Sequence, residues 1–371
     1  MQSTLRVRAF AAGSIVAALL ACAAPAGAQS GDPYLRISFI DVGQGDAIWI
    51  QGPDRDDGAA GANIIIDGGP DRGARNRLLK YLKAQSYGLA AGTAIDCVVA
   101  THPHDDHYPG LIDVLGQYEV RQIVDSGYPK ERTTKSGEPS RFEVFRQAAL
   151  KERAAGQPSR FVQLRGTTDR ALRCGNLETR IIHADSADLT EMGSGNTREN
   201  NASTVIQLTF GAFTFLFMGD AEGKGRNEGA GTSRFVEDLL IEKAKSEPGL
   251  LRADVLKVGH HGSETGSTLP FIRAVQPAVI VIMSGRKKFN GTFIPDQAVL
   301  DRYRRENAGL VVVRTDDRDA QEGRDTSDDQ DGDDVYMYTD GETLRVFRAV
   351  GPETRKRWRR VTTLQKELPQ Q

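Results

Sequence analysis

The sequence predicts an α/β fold in which mixed sheets and helices form layers. Two observations carry this prediction. Short apolar runs of strand length alternate with helical patterns along the 371 residues. Some neighbouring runs are joined by tight turns, as at Gly211, whereas others are separated by helices. Hairpins and crossover helices in one chain favour mixed sheets over a purely parallel sheet.

Each element is predicted from a local pattern. Apolar runs predict strands at 35–40, 47–50, 63–66, 97–100, 205–208, 213–218, 254–258, 278–283 and 310–313. The segment 335–346 reads as a hairpin that turns at Asp340–Gly341. Ser140 and Glu143 form a capping box that opens a helix ending before Pro158. Helical spacing predicts further helices near 78–82, 233–245 and 295–307.

The N-terminus has the features of an export signal. Arg6 and Arg8 precede the apolar stretch 9–24, and Ala26-Gly27-Ala28 offers small residues for a peptidase. We expect residues 1–28 to be removed, leaving an exported mature chain, periplasmic or secreted, with no transmembrane anchor. The alternative is lipoprotein processing, which would leave a lipid on Cys22.

The mature chain is expected to form one domain over residues 34–350. Residues 316–334 are strongly acidic and are interpreted as a flexible insertion, because their spacing does not match a calcium-binding loop. Residues 351–371 are basic and are interpreted as a solvated tail.

Cys97 and Cys174 are expected to stay unpaired, since Cys97 lies in a predicted core strand. The net charge of −2 argues neither for nor against a polyanionic partner.

Five of the six histidines lie in two places, 101–107 and 260–261, each directly after an apolar run. Clustered imidazoles and carboxylates at strand ends are typical of metal sites. His102 and His104 can reach one ion, and Asp106 with His107 can reach a second. Asp220 could bridge both ions, and His260 could complete the second site. These ligands suit two divalent transition-metal ions, zinc or manganese.

Five ordered motifs then resemble a known family. Residues 39–46, 66–69, 200–203, 217–220 and 255–263 look like those of the metallo-β-lactamase superfamily, and more narrowly the soluble hydrolase domain of ComEC-type proteins, in its free-standing, exported form. The resemblance implies an αββα sandwich with a dinuclear centre. It also implies supporting or substrate-contacting roles for Asp41, Asp46, Asp67, Asn200, Ser203, Lys257 and Asn290.

Three departures from the family pattern are visible. A third histidine on the first metal is missing, because residues 200–203 read Asn-Asn-Ala-Ser and His183 lies too far upstream. Ile294 stands where ComEC-type proteins usually have a histidine. The ComEC-type domain accompanies a membrane channel, and this chain has none.

The leading interpretation is an enzyme that hydrolyses phosphodiesters with a hydroxide bridging two metals. The substrate would be a small molecule or a polymer, nucleic acid included. Asp106 would orient the second-metal side, and His261 would donate a hydrogen bond or proton, although adjacency leaves the roles of His260 and His261 open. Lys257 is a weaker candidate, being read as an exposed strand-edge lysine. The alternatives are a hydrolase of amides, lactones or other esters, and a non-enzymatic exported metal-binding protein.

Overall fold

The computed structural model describes residues 31–84, 88–154, 160–166, 169–185, 192–285, 287–289, 291–317, 332–351 and 356–368. The predicted export signal, including Cys22, lies outside the described residues. So do Asn290 and most of the acidic segment.

The described chain contains eighteen strands and seven α-helices. The strands are β1 (Leu35–Phe39), β2 (Ile48–Gln51), β3 (Asn63–Ile66), β4 (Ile95–Ala100), β5 (Val120–Asp125), β6 (Arg160–Gln163), β7 (Arg170–Cys174), β8 (Leu177–His183), β9 (Val205–Phe210), β10 (Phe213–Phe217), β11 (Val255–Lys257), β12 (Val279–Ile282), β13 (Lys288–Phe289), β14 (Thr292–Phe293), β15 (Val311–Arg314), β16 (Val335–Thr339), β17 (Thr343–Val350) and β18 (Arg357–Gln365). The helices are α1 (Arg77–Leu82), α2 (Pro109–Leu115), α3 (Arg141–Ala154), α4 (Asn196–Asn200), α5 (Phe235–Ser246), α6 (Leu269–Val275) and α7 (Gln297–Glu306). Among the described residues, no helix is long and apolar enough to cross a bilayer.

Two large mixed sheets form the centre of the molecule. The nine-stranded sheet has the order β18-β17-β16-β1-β2-β3-β4-β5-β6, and the seven-stranded sheet has the order β15-β12-β11-β10-β9-β8-β7. In the first sheet β3 to β6 run parallel, and in the second β10, β11, β12 and β15 do. Their remaining neighbours pair antiparallel. The predicted mixture of pairing modes is therefore confirmed.

Three buried apolar clusters divide the molecule into four layers. One lies between the two sheets and includes Ile37, Val99 and Phe215. A second packs α1, α2 and α3 against β2 to β5, and a third packs α5, α6 and α7 against β10, β11 and β12. Because inward and outward side chains alternate along each strand, both faces of a central strand are buried. The resulting arrangement is the predicted αββα sandwich.

Cys97 and Cys174 form a disulfide bond, so the expectation that they are unpaired is wrong. Cys97 lies in β4 of the first sheet and Cys174 ends β7 of the second, with their Cα atoms 5.6 Å apart. Both side chains are buried in the cluster between the sheets. Strand periodicity indicates burial, but it does not show which strand of the facing sheet packs opposite. The bond therefore links the two halves of the sandwich through its core.

The C-terminal segment that was interpreted as a solvated tail forms a strand instead. β18 pairs antiparallel with β17 over its whole length and becomes one edge of the first sheet. The domain therefore extends beyond residue 350, to at least Gln365. The end of the acidic segment is also held in place, since the Asp41 carboxylate accepts hydrogen bonds from the backbone N–H groups of Gly332 and Asp333. Asp41 thus anchors this segment and is not part of the metal centre described below.

Candidate metal centre

Four strand ends bring the predicted ligands together at one edge of the sandwich. β3 ends just before Asp67, and β4 leads into the histidine loop 101–107. In the facing sheet, β10 leads to Asp220 and β11 to the pair at 260–261. Within each sheet the two strands are parallel neighbours, so their carboxyl ends lie side by side. Residues far apart in the sequence therefore meet in one place.

The backbone at residues 260–261 directs the two adjacent imidazoles to different places. Both residues lie in the left-handed region, with φ of 45° for His260 and 52° for His261. Non-glycine residues adopt this conformation at an energetic cost and mostly where the surroundings require it. The His261 side chain is 2% exposed and turns inward, whereas that of His260 is 23% exposed and faces a surface cleft. The structure therefore places His261, and not His260, among the other candidate ligands.

Three ligand atoms converge around one point on the His261 side, and Asp106 lies beside them. The Nε2 atoms of His107 and His261 are 3.3 Å apart, and they lie 3.3 and 3.2 Å from Asp220 Oδ2. Asp106 Oδ2 is 3.4 Å from His261 Nε2. Ligands at 2.0–2.1 Å from a tetrahedral zinc ion are separated by about 3.3 Å. The atoms of His107, His261 and Asp220 thus have the mutual spacing of ligands in a tetrahedral metal site. We call these three residues, together with the adjacent Asp106, site two.

Hydrogen bonds on the other ring nitrogens leave these Nε2 atoms free to bind metal. His261 Nδ1 lies 2.8 Å from the Met283 carbonyl oxygen, which can only accept, so Nδ1 carries the proton. His107 Nδ1 lies 2.8 Å from Asp67 Oδ2. A protonated Nδ1 leaves the Nε2 lone pair available in the neutral ring, and partners of this kind are typical of metal-binding histidines.

The second group, called site one, consists of His102, His104 and Asp220. Their ligand atoms all lie within 4.8 Å of one another. Among the described residues, the buried His102 Nε2 and Asp220 Oδ1 have no hydrogen-bond partner. Such orphaned atoms are costly in a folded protein unless they are satisfied by water or an ion. The donor set and these orphaned atoms fit a divalent metal ion, and Asp220 is positioned to contact both sites.

Asp67 organises the loop that carries three of the histidines. Its two carboxylate oxygens accept hydrogen bonds from the backbone N–H of Thr101, at 2.8 Å, and from the Thr101 hydroxyl, at 2.6 Å. Because the Thr101 hydroxyl donates to Asp67, it accepts from His102 Nδ1 at 3.1 Å. Asp67 is also the partner of His107. One buried carboxylate thus orients ligands in both sites.

Asp46 and Lys257 form a buried ion pair beneath site two. Lys257 is 1% exposed, so its interpretation as an exposed strand-edge lysine is wrong. It also donates to the Gly219 carbonyl oxygen at 2.8 Å and lies 3.7 Å from Asp220 Oδ1. The Asp46 carboxylate lies close enough to the ligand atoms of His107, Asp220 and His261 to belong to the same group. However, it approaches the Nδ1 atoms of the two histidine rings. We therefore assign Asp46 and Lys257 to support of the ligands.

The excess of carboxylates in this region shapes its electrostatics. Burial opposes protonation of His107 and His261, but the charge of Asp220 and its neighbours outweighs it and raises the pKa of both imidazoles well above the usual value. Burial likewise opposes ionisation of Asp220, but His261 and His107 hold the pKa of that carboxyl well below its usual range. Burial lowers the pKa of His102, which favours the neutral ring. The negative potential that keeps these two histidines protonated would also favour a bound metal cation in their place.

The remaining predicted residues have supporting contacts. The Ser203 hydroxyl accepts from the Asp220 backbone N–H at 2.9 Å. The Asn200 side-chain amide donates to Glu222 Oε1 at 2.7 Å and lies 3.3 Å from His260 Nε2. His183 is buried at the end of β8, where its Nε2 donates to the Asn201 carbonyl oxygen at 2.9 Å, away from both sites.

Two acidic residues near the centre were missed from the sequence. Glu199 Oε2 lies 3.0 Å from His104 Nε2 and pairs with Lys130. Glu222 Oε1 lies 3.1 Å from His260 Nδ1. Glu222 follows Asp220 by two residues, which is the one sequence signal that could have identified it. Glu199 lies in the short helix α4, which no sequence pattern predicted.

Both sites open into a cleft of about 830 Å³. Its lining includes His260 and Ile294, so the residue that replaces the usual family histidine forms part of the cleft wall. The charged side chains that line the cleft are four cations and five carboxylates: Lys130, Arg141, Arg226 and Lys287, with Asp105, Asp106, Glu199, Asp220 and Glu222. Two divalent ions would therefore make the cleft net positive.

Known proteins are similar to this chain in sequence. ComE operon protein 3 of Bacillus subtilis is 26% identical over 295 residues, which cover 76% of this chain and 32% of that protein. Competence protein ComA of Neisseria gonorrhoeae is 34% identical over 280 residues, covering 76% of this chain and 31% of that protein. The chain thus spans about a third of the length of these relatives.

A solved structure and a family model extend the comparison. An archaeal metallo-β-lactamase superfamily protein from Sulfolobus tokodaii is 17% identical, with a TM-score of 0.31, and the match covers 65% of this chain and 84% of that one. The model of the metallo-β-lactamase superfamily matches residues 40–285, well over half of the sequence. The chain therefore belongs to the metallo-β-lactamase superfamily.

Proposed function

We propose that this protein is an exported hydrolase that cleaves phosphodiesters with two divalent metal ions, zinc or manganese. The observation that carries the proposal is the position of Asp220. Its Oδ2 atom lies 3.7 Å from His102 Nε2 in site one and 3.2–3.3 Å from two imidazoles in site two. A carboxylate shared in this way is expected of a two-metal centre.

The charge of the cleft favours an anionic substrate. Two ions held there would supply Lewis acidity, lowering the pKa of water and offsetting charge that builds on a phosphoryl group. Arg141 and Lys130 lie on the cleft wall, where they can contact phosphate oxygens. A neutral amide or lactone would gain little from these cations. The relatives named for competence are consistent with a polymeric substrate such as nucleic acid.

The placement of the two adjacent histidines suggests that the roles expected from the sequence are exchanged. His261 would hold metal in site two with Asp106, His107 and Asp220. His260 faces the cleft and is oriented by Thr265 Oγ1, 2.9 Å from its Nδ1. A ring fixed through Nδ1, with Nε2 at the cleft wall 3.3 Å from the Asn200 side-chain amide, is suited to contact the substrate or the leaving oxygen.

The disulfide supports export. Structural disulfides persist in oxidising compartments and are rare in the cytosol of mesophilic cells. A bond buried in the core between the two sheets is consistent with folding outside the cytoplasm. Mass spectrometry of the native N-terminus tests this part: a start near Gln29 agrees with the proposal, and a lipidated Cys22 would replace soluble export by a lipoprotein.

The catalytic proposal is tested with the metal-loaded mature protein. Hydrolysis of bis(p-nitrophenyl) phosphate should far exceed hydrolysis of nitrocefin or a homoserine lactone. The variant Asp220→Asn should lower the metal content of both sites, measured by elemental analysis, and lower turnover with it. An unchanged metal content in this variant refutes the shared ligand. Faster hydrolysis of the lactone or of nitrocefin refutes the phosphodiester assignment.

A further inference from the structure

Five aromatic side chains form a continuous patch on the outer face of the first sheet. They lie on β16, β17 and β18 and just before β1: Tyr34, Tyr336, Tyr338, Phe347 and Trp358. Ring centroids of successive neighbours are 5.3 Å apart for Tyr34–Tyr338, 5.6 Å for Tyr338–Phe347, 6.2 Å for Tyr336–Phe347 and 5.4 Å for Tyr336–Trp358. We call these residues the aromatic patch.

Strand alternation places the patch outside the sandwich. Val335, Met337, Leu344 and Val346 point into the cluster between the sheets, so the residues between them point away from it. The helices that pack on this sheet cover β2 to β5, and none of the buried residues of their cluster comes from β16, β17 or β18. Among the described residues, this end of the sheet therefore lacks a packed helical layer.

Two arginines share the outer face with the aromatic patch. β16, β17 and β18 together carry five arginines and no Asp or Glu, and strand alternation places Arg345 and Arg360 on the same face as the rings. Arg345 lies over the Tyr338 ring, with its guanidinium carbon 5.5 Å from the ring centroid. Arg360 pairs with Phe347 in the strand register, so the two side chains share the outer face. The patch thus combines aromatic rings with cations at adjacent positions.

We propose that this face binds single-stranded nucleic acid, with bases stacking on the exposed rings and phosphates contacting Arg345 and Arg360. Aromatic rings beside a cationic surface are the combination that unpaired, phosphate-linked bases require. Tyrosine hydroxyls and Thr363, which pairs with Arg345 in the strand register, add hydrogen-bonding groups. This binding site lies outside the metal centre and does not depend on the proposed hydrolysis.

Two other polyanions fit the surface less well. A duplex hides its bases, so it would use the arginines but not the rings. An anionic membrane favours side chains that protrude into the lipid, whereas Tyr336, Tyr338 and Phe347 are half-buried in the sheet face. Trp358 is the most exposed ring of the patch, at 36%.

Trp358 also provides a local reporter. The chain has two tryptophans, and the other, Trp49, is 1% exposed. A base stacked on Trp358 should quench its fluorescence, while an oligonucleotide in the metal cleft should not. The experiment titrates the metal-free mature protein, kept in chelator, with oligothymidine of about 15 nucleotides, a length within the range of known single-strand sites. Fluorescence and the anisotropy of a labelled oligonucleotide are recorded together.

The proposal predicts saturable quenching and an affinity that Trp358→Ala weakens by at least fivefold. Trp358→Phe should remove the quenching but retain binding, because it keeps a ring for stacking. The double variant Arg345→Ala/Arg360→Ala should reduce the slope of log affinity against log salt by about 1.4, at about 0.7 per phosphate contact. Arg304→Ala is the matched control, since it removes an exposed arginine from α7 in the opposite layer.

Three results would overturn the proposal. One is the absence of quenching at oligonucleotide concentrations that saturate the anisotropy signal. Another is equal affinity for oligothymidine, duplex DNA and dextran sulfate, which would indicate a charge effect without stacking. The third is preferential binding to phosphatidylglycerol vesicles, which would identify a membrane surface. Thermal unfolding and far-UV circular dichroism of each variant, matched to those of the wild type, establish that the fold is intact.

Discussion

Breaking the bond between Cys97 and Cys174 should remove a large share of the folding stability. The two cysteines are separated by 77 residues. Closing a loop of that size in the unfolded chain corresponds to about 4.5 kcal/mol at 25 °C. Since the net stability of a domain is about 5–15 kcal/mol, the loss would amount to between about a third and about nine tenths of it.

Two comparisons separate the contribution of the crosslink to the free energy of unfolding from that of side-chain packing. Urea unfolding of the oxidised and the reduced wild-type protein keeps both sulfur atoms and isolates the effect of the crosslink, expected near 4.5 kcal/mol. The variant Cys97→Ala/Cys174→Ala should lose a further ~2 kcal/mol relative to the reduced protein, because each cysteine loses a buried group about the size of a methyl. All samples contain chelator, so that metal binding adds nothing to the native state.

The reasoning fails if the oxidised and reduced proteins differ by less than 1 kcal/mol while mass spectrometry shows the bond formed in one and absent in the other. Such a result would mean that the unfolded chain is already restricted near this loop, or that the native bond opposes the packing of the two sheets. An equal stability of the reduced protein and the double alanine variant would contradict only the packing contribution.

Two further predictions concern histidines. His261→Ala should lose metal from site two. His260→Ala should keep both metals and lose turnover by about 100-fold, the usual scale for a positioned acid or hydrogen-bond donor. Elemental analysis showing the reverse pattern would restore the roles expected from the sequence. Burial lowers the pKa of His183 to about 4, against about 6.5 in the unfolded chain, so the unfolded state gains the proton first as pH falls. The stability advantage of the wild type over His183→Gln should therefore shrink by about 2 kcal/mol between pH 7.5 and pH 5, and urea midpoints showing a constant difference would exclude this linkage.

Much of the fold could be predicted because long apolar strands bounded by turn residues leave few interpretations. The runs around Ile37, Phe215 and Ile280 became strands close to the expected positions. The strands β6, β7 and β8 were not predicted, since charged residues interrupt their apolar pattern, as Arg173 and Glu178 do. Tertiary packing makes such segments strands, and periodicity does not report that packing.

The sequence identifies which residue types gather at the candidate metal centre, but not how they are arranged. Strand ends followed by His102, His104 and Asp220 indicate ligands whatever their exact geometry. The choice between His260 and His261 depends on two left-handed backbone conformations, which no propensity of histidine indicates. The burial of Lys257 was missed for a related reason. A lysine at a strand end is usually exposed, and here only the facing Asp46, 211 residues away in sequence, makes its burial tolerable.

The position of β18 has a practical consequence for truncated forms of the protein. An exposed sheet edge presents unpaired backbone N–H and C=O groups, and proteins protect such edges with charged strands. β18 is such a strand, with Arg357, Arg359 and Arg360 along it. A protein cut at residue 350, the boundary that sequence composition suggests, would expose β17 and its apolar residues Leu344 and Val346 as a new edge. That form should associate edge to edge and precipitate, whereas a form ending after Lys366 should remain dispersed.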